Sequence, residues 1–185
     1  MNIQDTATTK SAYAIGEPVK RKEDGKLLRG QGSYTDDVNL PGQAYAFILR
    51  STQAHGRIKS IDTEAARKMK GVLGIYTGAD VAQYGTLQSA LPFKSRDGTD
   101  LKKPPRAALP TDKVRFVGDP IVCVVAETLA QAKDASEAIE VDIESLPAIT
   151  TPAQAVAKGA PAIFEDVPGN VCLDFHFGEI GRAHV

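Results

Sequence analysis

The side chains of this chain that could do chemistry are few and scattered. Histidines stand at His55, His176 and His184, and cysteines at Cys123 and Cys172. Metal sites draw their ligands from short recurring spacings, such as paired Cys-x-x-Cys or His residues one helical turn apart. None of these five residues has such a neighbour. Asp36 and Asp37 offer oxygen to a hard cation, but adjacent acids in a turn are ordinarily just solvated. Gly30-Gln31-Gly32 is too short to be a phosphate-cradling loop, and no Walker or dinucleotide pattern follows a strand. Spacing singles out no Ser–His–Asp set. The densest grouping is Arg50-Ser51 followed by His55-Gly56-Arg57. Two guanidinium groups and an imidazole could hold an anion or a neighbouring domain. A strand end held by ordinary hydrogen bonds explains the same pattern, and the residues favour that reading. No residue is therefore assigned a catalytic, cofactor-binding or metal-binding role.

The elements that would position these groups are clearer. Ile121 to Ala126 is a short, β-branched apolar run, which suits a strand buried on both faces. Gly118-Asp119-Pro120 turns the chain into it. Thr128 with Gln131 has capping-box spacing, and Leu129, Ala132, Ala135, Ala138 and Ile139 share one helical face. Val141 to Glu144 alternates as a half-buried strand does. The stretch 109–149 thus reads strand, helix, strand, with a right-handed crossover if both strands share a sheet. Cys123 inside the strand is expected to act as a small hydrophobe.

The rest of the chain is arranged around that unit. Leu27-Leu28 is expected to pin an irregular charged segment, and Asn39-Leu40-Pro41-Gly42 reads as a turn. Gln43 to Ser51 predicts a strand inside the sheet, because both its faces are largely apolar. Ile58 to Ile61 and Val72 to Tyr76 predict short strands. Between them Asp62 is a candidate N-cap for a helix to Lys70, stopped by Gly71. Thr77-Gly78-Ala79-Asp80 repeats the capping box. Residues 85–110 look like an exposed excursion. Thr151-Pro152-Ala153-Gln154 opens a helix to Lys158, and Val171 to Phe177 alternates like a last strand.

Composition narrows the class. Lys+Arg total 22 against Asp+Glu 23, a net charge of −1, so the chain has no electrostatic footprint for nucleic acid or an anionic membrane. There is no Trp to stack on bases. The polar start lacks the apolar core of a secretory signal, and no apolar run nears the roughly 20 residues of a membrane span. A cytoplasmic protein with reduced thiols is expected.

The order of motifs resembles the large, molybdenum-binding subunits of the xanthine dehydrogenase family. The likeness is carried first by Arg21-Lys22-Glu23-Asp24, Leu28, Gly30 and Gly32, then by Tyr34-Thr35-Asp36-Asp37 and Pro41-Gly42. It continues through Arg50-Ser51-Thr52-Gln53-Ala54-His55-Gly56-Arg57-Ile58 with Ile61-Asp62, and Gly71-Val72 with Thr77-Gly78-Ala79-Asp80. Val117-Gly118-Asp119-Pro120-Ile121, Val124, Ala126-Glu127 and Leu146-Pro147-Ala148 complete it. The subgroup it looks most like is the aerobic carbon monoxide dehydrogenase large chain. Departures are mild: Gly56 where Ala is common, Thr52 where Pro is common, and Ile143-Glu144-Ser145 where a Tyr-Glu pair often stands.

The resemblance implies an α/β (α+β) fold, the α/β-hammerhead, with a mixed sheet, short flanking helices and the strand-helix-strand core at 109–149. Residues 1–14 lack periodicity and are expected to be a disordered tail; the resemblance implies a hammerhead domain at 15–170 and, at 171–185, the start of, or linker to, a molybdopterin-binding domain. The parent enzyme would carry molybdenum on a molybdopterin cytosine dinucleotide, with 2Fe-2S clusters and FAD on partner subunits. The family's pterin-binding and catalytic residues have no counterpart here, so the chain is expected to be an N-terminal fragment, inactive alone and binding no cofactor itself. Its expected partners are the molybdenum-binding domains of the same subunit and the iron-sulfur and FAD subunits. A homodimer through the face near Val171 to Phe177 is also expected. The alternatives are an independent binding or assembly module that reuses the fold, or a small enzyme with an unrecognised site.

Overall fold

The computed structural model describes residues 21–178. The expected tail at 1–14, His184 and nearly all of the segment 178–185 lie outside them. The chain divides into a unit at Met1–Gln43 and a second at Ala44–Val185.

The first unit holds α1 (Asp24–Leu27) and a 3-10 turn at Thr35–Asp37, neither with a buried residue. The Leu27-Leu28 pair does not pin it, since Leu28 is 86% exposed. The expected turn at 39–42 is present. Gln43 donates its backbone N–H to Leu40 O at 3.1 Å, and Gly42 takes φ +76°, a value that glycine adopts without a Cβ clash.

The second unit contains six strands: β1 (Tyr45–Arg50), β2 (Gly56–Asp62), β3 (Val72–Thr77), β4 (Lys113–Val114), β5 (Pro120–Ala126) and β6 (Glu140–Ser145). They form two three-stranded sheets, ordered β1-β5-β3 and β4-β2-β6. Every pairing is antiparallel, so the α/β class holds while the expected mixed sheet is replaced by two antiparallel ones. Helices α2 (Glu64–Arg67), α3 (Gly78–Val81), α4 (Leu129–Glu137) and α5 (Pro152–Ala155) join them.

The β5-α4-β6 unit forms as expected, and Thr128 Oγ1 caps α4 by accepting from Gln131 N–H at 3.2 Å. It makes no crossover within a sheet, because β5 and β6 belong to different sheets. Strand β5 is the centre of its sheet. Val122, Val124 and Ala126 share one face and are fully buried; on the other face Ile121 is buried but Cys123 and Val125 are only half-buried. Strand β1 sits at an edge rather than inside. Its apolar faces gain cover from α4, where Lys133 Nζ lies 5.9 Å from the Phe47 ring centroid, and not from a second neighbouring strand. On α4, Ala132 and Ala135 enter the core, whereas Leu129 at its first turn is exposed.

Several boundaries shift for local reasons. Asp62 still pairs with Glu140 in the β2–β6 ladder, so Thr63 becomes the N-cap and α2 ends at Arg67. Asp62 Oδ1 nevertheless accepts from Glu64 N–H at 2.9 Å. Thr77 and Asp80 form the expected capping box, with Thr77 N–H donating to Asp80 Oδ2 at 2.7 Å. Gly78 lies so close to the Leu109 and Pro110 carbonyl oxygens that a Cβ would sit 2.8 and 2.5 Å from them. Thr151 caps α5, which ends at Ala155 rather than reaching Lys158. The excursion at 85–110 has only isolated bridges, Thr86 with Ala107 and Lys94 with Asp100. Val171 to Phe177 is no strand. Its Cys172 and Asp174 carbonyls accept single bonds from Lys102 N–H (3.0 Å) and Arg96 N–H (2.8 Å) of the excursion, too sparse for a ladder.

Candidate functional site

The Arg50–Arg57 cluster is built from the end of β1, a bend, and the start of β2. Ser51 and His55 are buried and bonded to backbone, while the Arg50 and Arg57 side chains stay exposed. Arg50 Nη1 donates to Gly118 O at 2.8 Å. Ser51, almost wholly buried, exchanges backbone bonds with the β5 entry: its N–H donates to Asp119 O and its carbonyl accepts from Gly118 N–H, both at 2.8 Å. Asp119 in turn accepts from Arg115 N–H at 2.9 Å. His55 is 8% exposed, and its Nδ1 lies 2.9 Å from Pro147 O. A carbonyl only accepts, so Nδ1 is the donor of this bond. Arg57 Nε pairs loosely with Glu144 at 3.8 Å. The cluster therefore ties β1, β2 and the β5 entry together, with Arg50 on a backbone carbonyl and Arg57 beside the Glu144 carboxylate.

Beside it lies a cleft of about 380 Å³, lined among others by His55, Arg115, Thr151, Phe164, Asn170 and Cys172. Arg115 lies on the Phe164 ring, 4.8 Å from the centroid, and donates to Ile163 O at 3.3 Å and Lys113 O at 3.2 Å. Asn170 holds the left-handed φ of +58°. Its amide nitrogen donates to Ala155 O (2.9 Å) and Pro161 O (3.0 Å), and its Oδ1 accepts from Ile163 N–H (2.9 Å). At the cleft's edge Lys113 Nζ bonds Glu165 at 2.9 Å and holds that carboxyl below its usual range. Arg115 and Asn170 were not singled out from the sequence. The turn residues Pro168-Gly169-Asn170 were a signal for the second; nothing local marks the first.

The remaining candidates stay apart. Asp37 Oδ2 accepts from Tyr34 N–H at 2.8 Å and so caps its own turn. Burial pushes the Cys123 thiol up, away from the thiolate that would react. Among the described residues no group of three or more His, Cys, Asp or Glu side chains lies close enough together to hold a metal ion.

Two antiparallel sheets joined by short helices define an α/β domain whose 50–57 cluster is hydrogen-bonded mainly to its own backbone. The profile for aldehyde oxidase and xanthine dehydrogenase, a/b hammerhead domain, matches residues 29–147, and the chain belongs to that family. It is 37% identical over 171 residues to the nicotine 6-hydroxylase large subunit of Paenarthrobacter nicotinovorans, covering 91% of this chain and 20% of that one. It is likewise 37% identical over 173 residues to the carbon monoxide dehydrogenase large chain of Afipia carboxidovorans, at 90% and 20% coverage. Among crystal structures, the Cu,Mo-CO dehydrogenase matches with TM-score 0.66 at 35% identity, over 84% of this chain and 18% of that one. Quinoline 2-oxidoreductase from Pseudomonas putida 86 gives TM-score 0.69 at 36% identity, over 78% and 18%. The chain thus spans about a fifth of the length of the curated relatives it matches.

Proposed function

We propose that this chain is the hammerhead module of a molybdenum hydroxylase large subunit, an oxidoreductase of the carbon monoxide dehydrogenase type, and that it contributes structure rather than catalytic groups. The observation that carries this reading is the fate of the Arg50–Arg57 cluster. It is the densest collection of functional side chains in the sequence, and Arg50, Ser51 and His55 are bound to backbone of the turn before β5 and the segment after β6. The match to only a fifth of several large subunits supports the same reading. In the enzyme so formed, molybdenum on a molybdopterin cytosine dinucleotide would do the chemistry in domains beyond this one. Electrons would pass to 2Fe-2S clusters and FAD on partner subunits. The hammerhead would span 15–170, with 171–185 leading onward, and the assembly would work in the cytoplasm. No helix among the described residues is long and apolar enough to cross a membrane.

In isolation the module leaves a face bare. Phe175 packs tilted against Phe93 at a centroid distance of 5.1 Å, and both rings, like Phe177, stay substantially exposed. We place a homodimer contact of the isolated chain on this face, because uncovered apolar surface favours association.

A specific feature favours the second reading, a binding or assembly module: the cleft with the imidazole of His55 in its wall. One experiment separates the readings. The purified chain is analysed for molybdenum, iron and flavin and tested for dye-linked oxidation of carbon monoxide, aldehydes and purines. A structural module gives none of these. Stoichiometric metal or turnover above blank would overturn it. A coding sequence that stops at Val185 would favour the independent module.

A further inference from the structure

The cleft beside the Arg50–Arg57 cluster, lined wholly by residues of the second unit, holds polar groups that the fold itself does not use. His55 lines it and is 8% exposed. Its Nδ1 is taken by Pro147 O at 2.9 Å, and among the described residues Nε2 makes no hydrogen bond. No buried side-chain nitrogen or oxygen among them lacks a partner, so Nε2 is not sealed in the interior. It reaches solvent, and the cleft is the surface that His55 lines. A ring this buried and fixed at one nitrogen presents the other at a set position, so a ligand that bonds it loses little to ordering.

Arg115 supplies the permanent charge of the lining, and no carboxylate lines the cleft. Its Nε and Nη1 donate to Ile163 O and Lys113 O. Nη2 makes no hydrogen bond and lies 3.6 Å from Asp112 Oδ2, an ion pair that water weakens because the Asp112 side chain is 56% exposed. Glu165 at the edge is engaged by Lys113. Ile149, Pro152, Phe164 and Val167 make the remaining wall largely apolar. Small-molecule sites combine such walls with a few polar groups, and about 380 Å³ falls near the low end of their size. We propose that this cleft binds a small monocarboxylate with a compact apolar body. The body lies among Ile149, Pro152 and Val167, and the carboxylate accepts from Arg115 and from Nε2 of His55 as imidazolium, while Nδ1 keeps its bond to Pro147 O.

Benzoate is the probe, titrated by calorimetry into the 185-residue chain at about pH 6, with benzamide and acetate as controls. Benzoate binds once per chain and roughly tenfold more tightly than benzamide, which lacks the charge, or acetate, which lacks the ring. Carbon-edited NMR of the imidazole rings locates the site. The His55 signals move with occupancy, and those of His176 and His184, assigned through His176→Gln and His184→Gln, stay in place. His55→Asn sets an amide nitrogen near the position of Nδ1, so it keeps a donor for Pro147 O and removes Nε2. Benzoate affinity then falls at least fivefold while the melting temperature holds. Equal affinity for benzoate and benzamide overturns the proposal. So do His55 signals that do not move, or undiminished affinity in a folded His55→Asn; if that variant unfolds, the ring signals of the unaltered chain decide. The inference goes beyond both functional readings, and its failure leaves untouched the metal and turnover assay that separates them.

Discussion

Truncating Val124 and Val125 in turn tests the placement of the core most directly. Side chains of neighbouring strand residues point to opposite faces. Val124 is 0% exposed, while Val125 is half-buried. Val→Ala removes two methyl-sized groups, each worth about 0.8 kcal/mol of transfer when fully buried. At Val124 that gives about 1.6 kcal/mol. Its neighbours across the sheet, Phe47 and Ile75, are held in strands and cannot collapse fully into the gap, so a cavity cost adds to it. A total of about 2–3 kcal/mol follows. At Val125 roughly half the transfer term applies and water can refill the space, giving about 1 kcal/mol. The assay is urea unfolding of both variants. With a slope of about 2 kcal/mol/M, the midpoint falls by about 1–1.5 M for Val124→Ala and about 0.5 M for Val125→Ala. Equal shifts, or a larger one at Val125, would show that the buried face of β5 is misassigned. By the same reasoning Val124→Asp is more damaging than Val125→Asp, since a carboxylate at position 125 can reach water.

Gly56→Ala should destabilise by about 1–2 kcal/mol, because its Cβ would collide with Ile143 Cγ2 and come 3.0 Å from Glu144 O; adding Ile143→Ala should reduce the extra cost in a thermal-melt double-mutant cycle. Asp80 is held below its usual pKa by the Thr77 backbone N–H and hydroxyl, so its contribution is complete above the ordinary carboxylate value and is lost as pH falls through the lower folded value. Asp80→Asn should flatten the stability profile in that acid range, which urea midpoints at stepped pH would reveal. Asp97→Ala, in an exposed turn where the carboxylate binds only Thr99, should leave the melting temperature unchanged.

The features legible in the sequence are those whose causes lie within a few residues. Thr128 with Gln131, Thr77 with Asp80, Thr151 with Gln154, and Leu40 with Gln43 around Pro41-Gly42 each close a hydrogen bond across three positions. Sheet membership was not legible. That β1 and β3 flank β5, while β6 joins β2, depends on partners dozens of residues away. An apolar strand reads the same at an edge under a helix as in a sheet's centre. The Arg50–Arg57 cluster was legible as a grouping and as a strand end. The cleft beside it was not, because Asn170 draws its three bonds from residues 155, 161 and 163, and Arg115 finds Phe164 only in the folded chain.

The fastening of the excursion by the tail has a consequence for synthesis. Arg96 and Asp174 are separated by 78 positions, yet their side chains meet at 2.6 Å. At about 5–20 residues per second, a ribosome takes roughly 4–16 s to cover that interval. Through that time Phe93 has no Phe175 to cover it, and residues 93–102 have no strap. A protease or a chaperone that meets the nascent chain would find an unfastened target there.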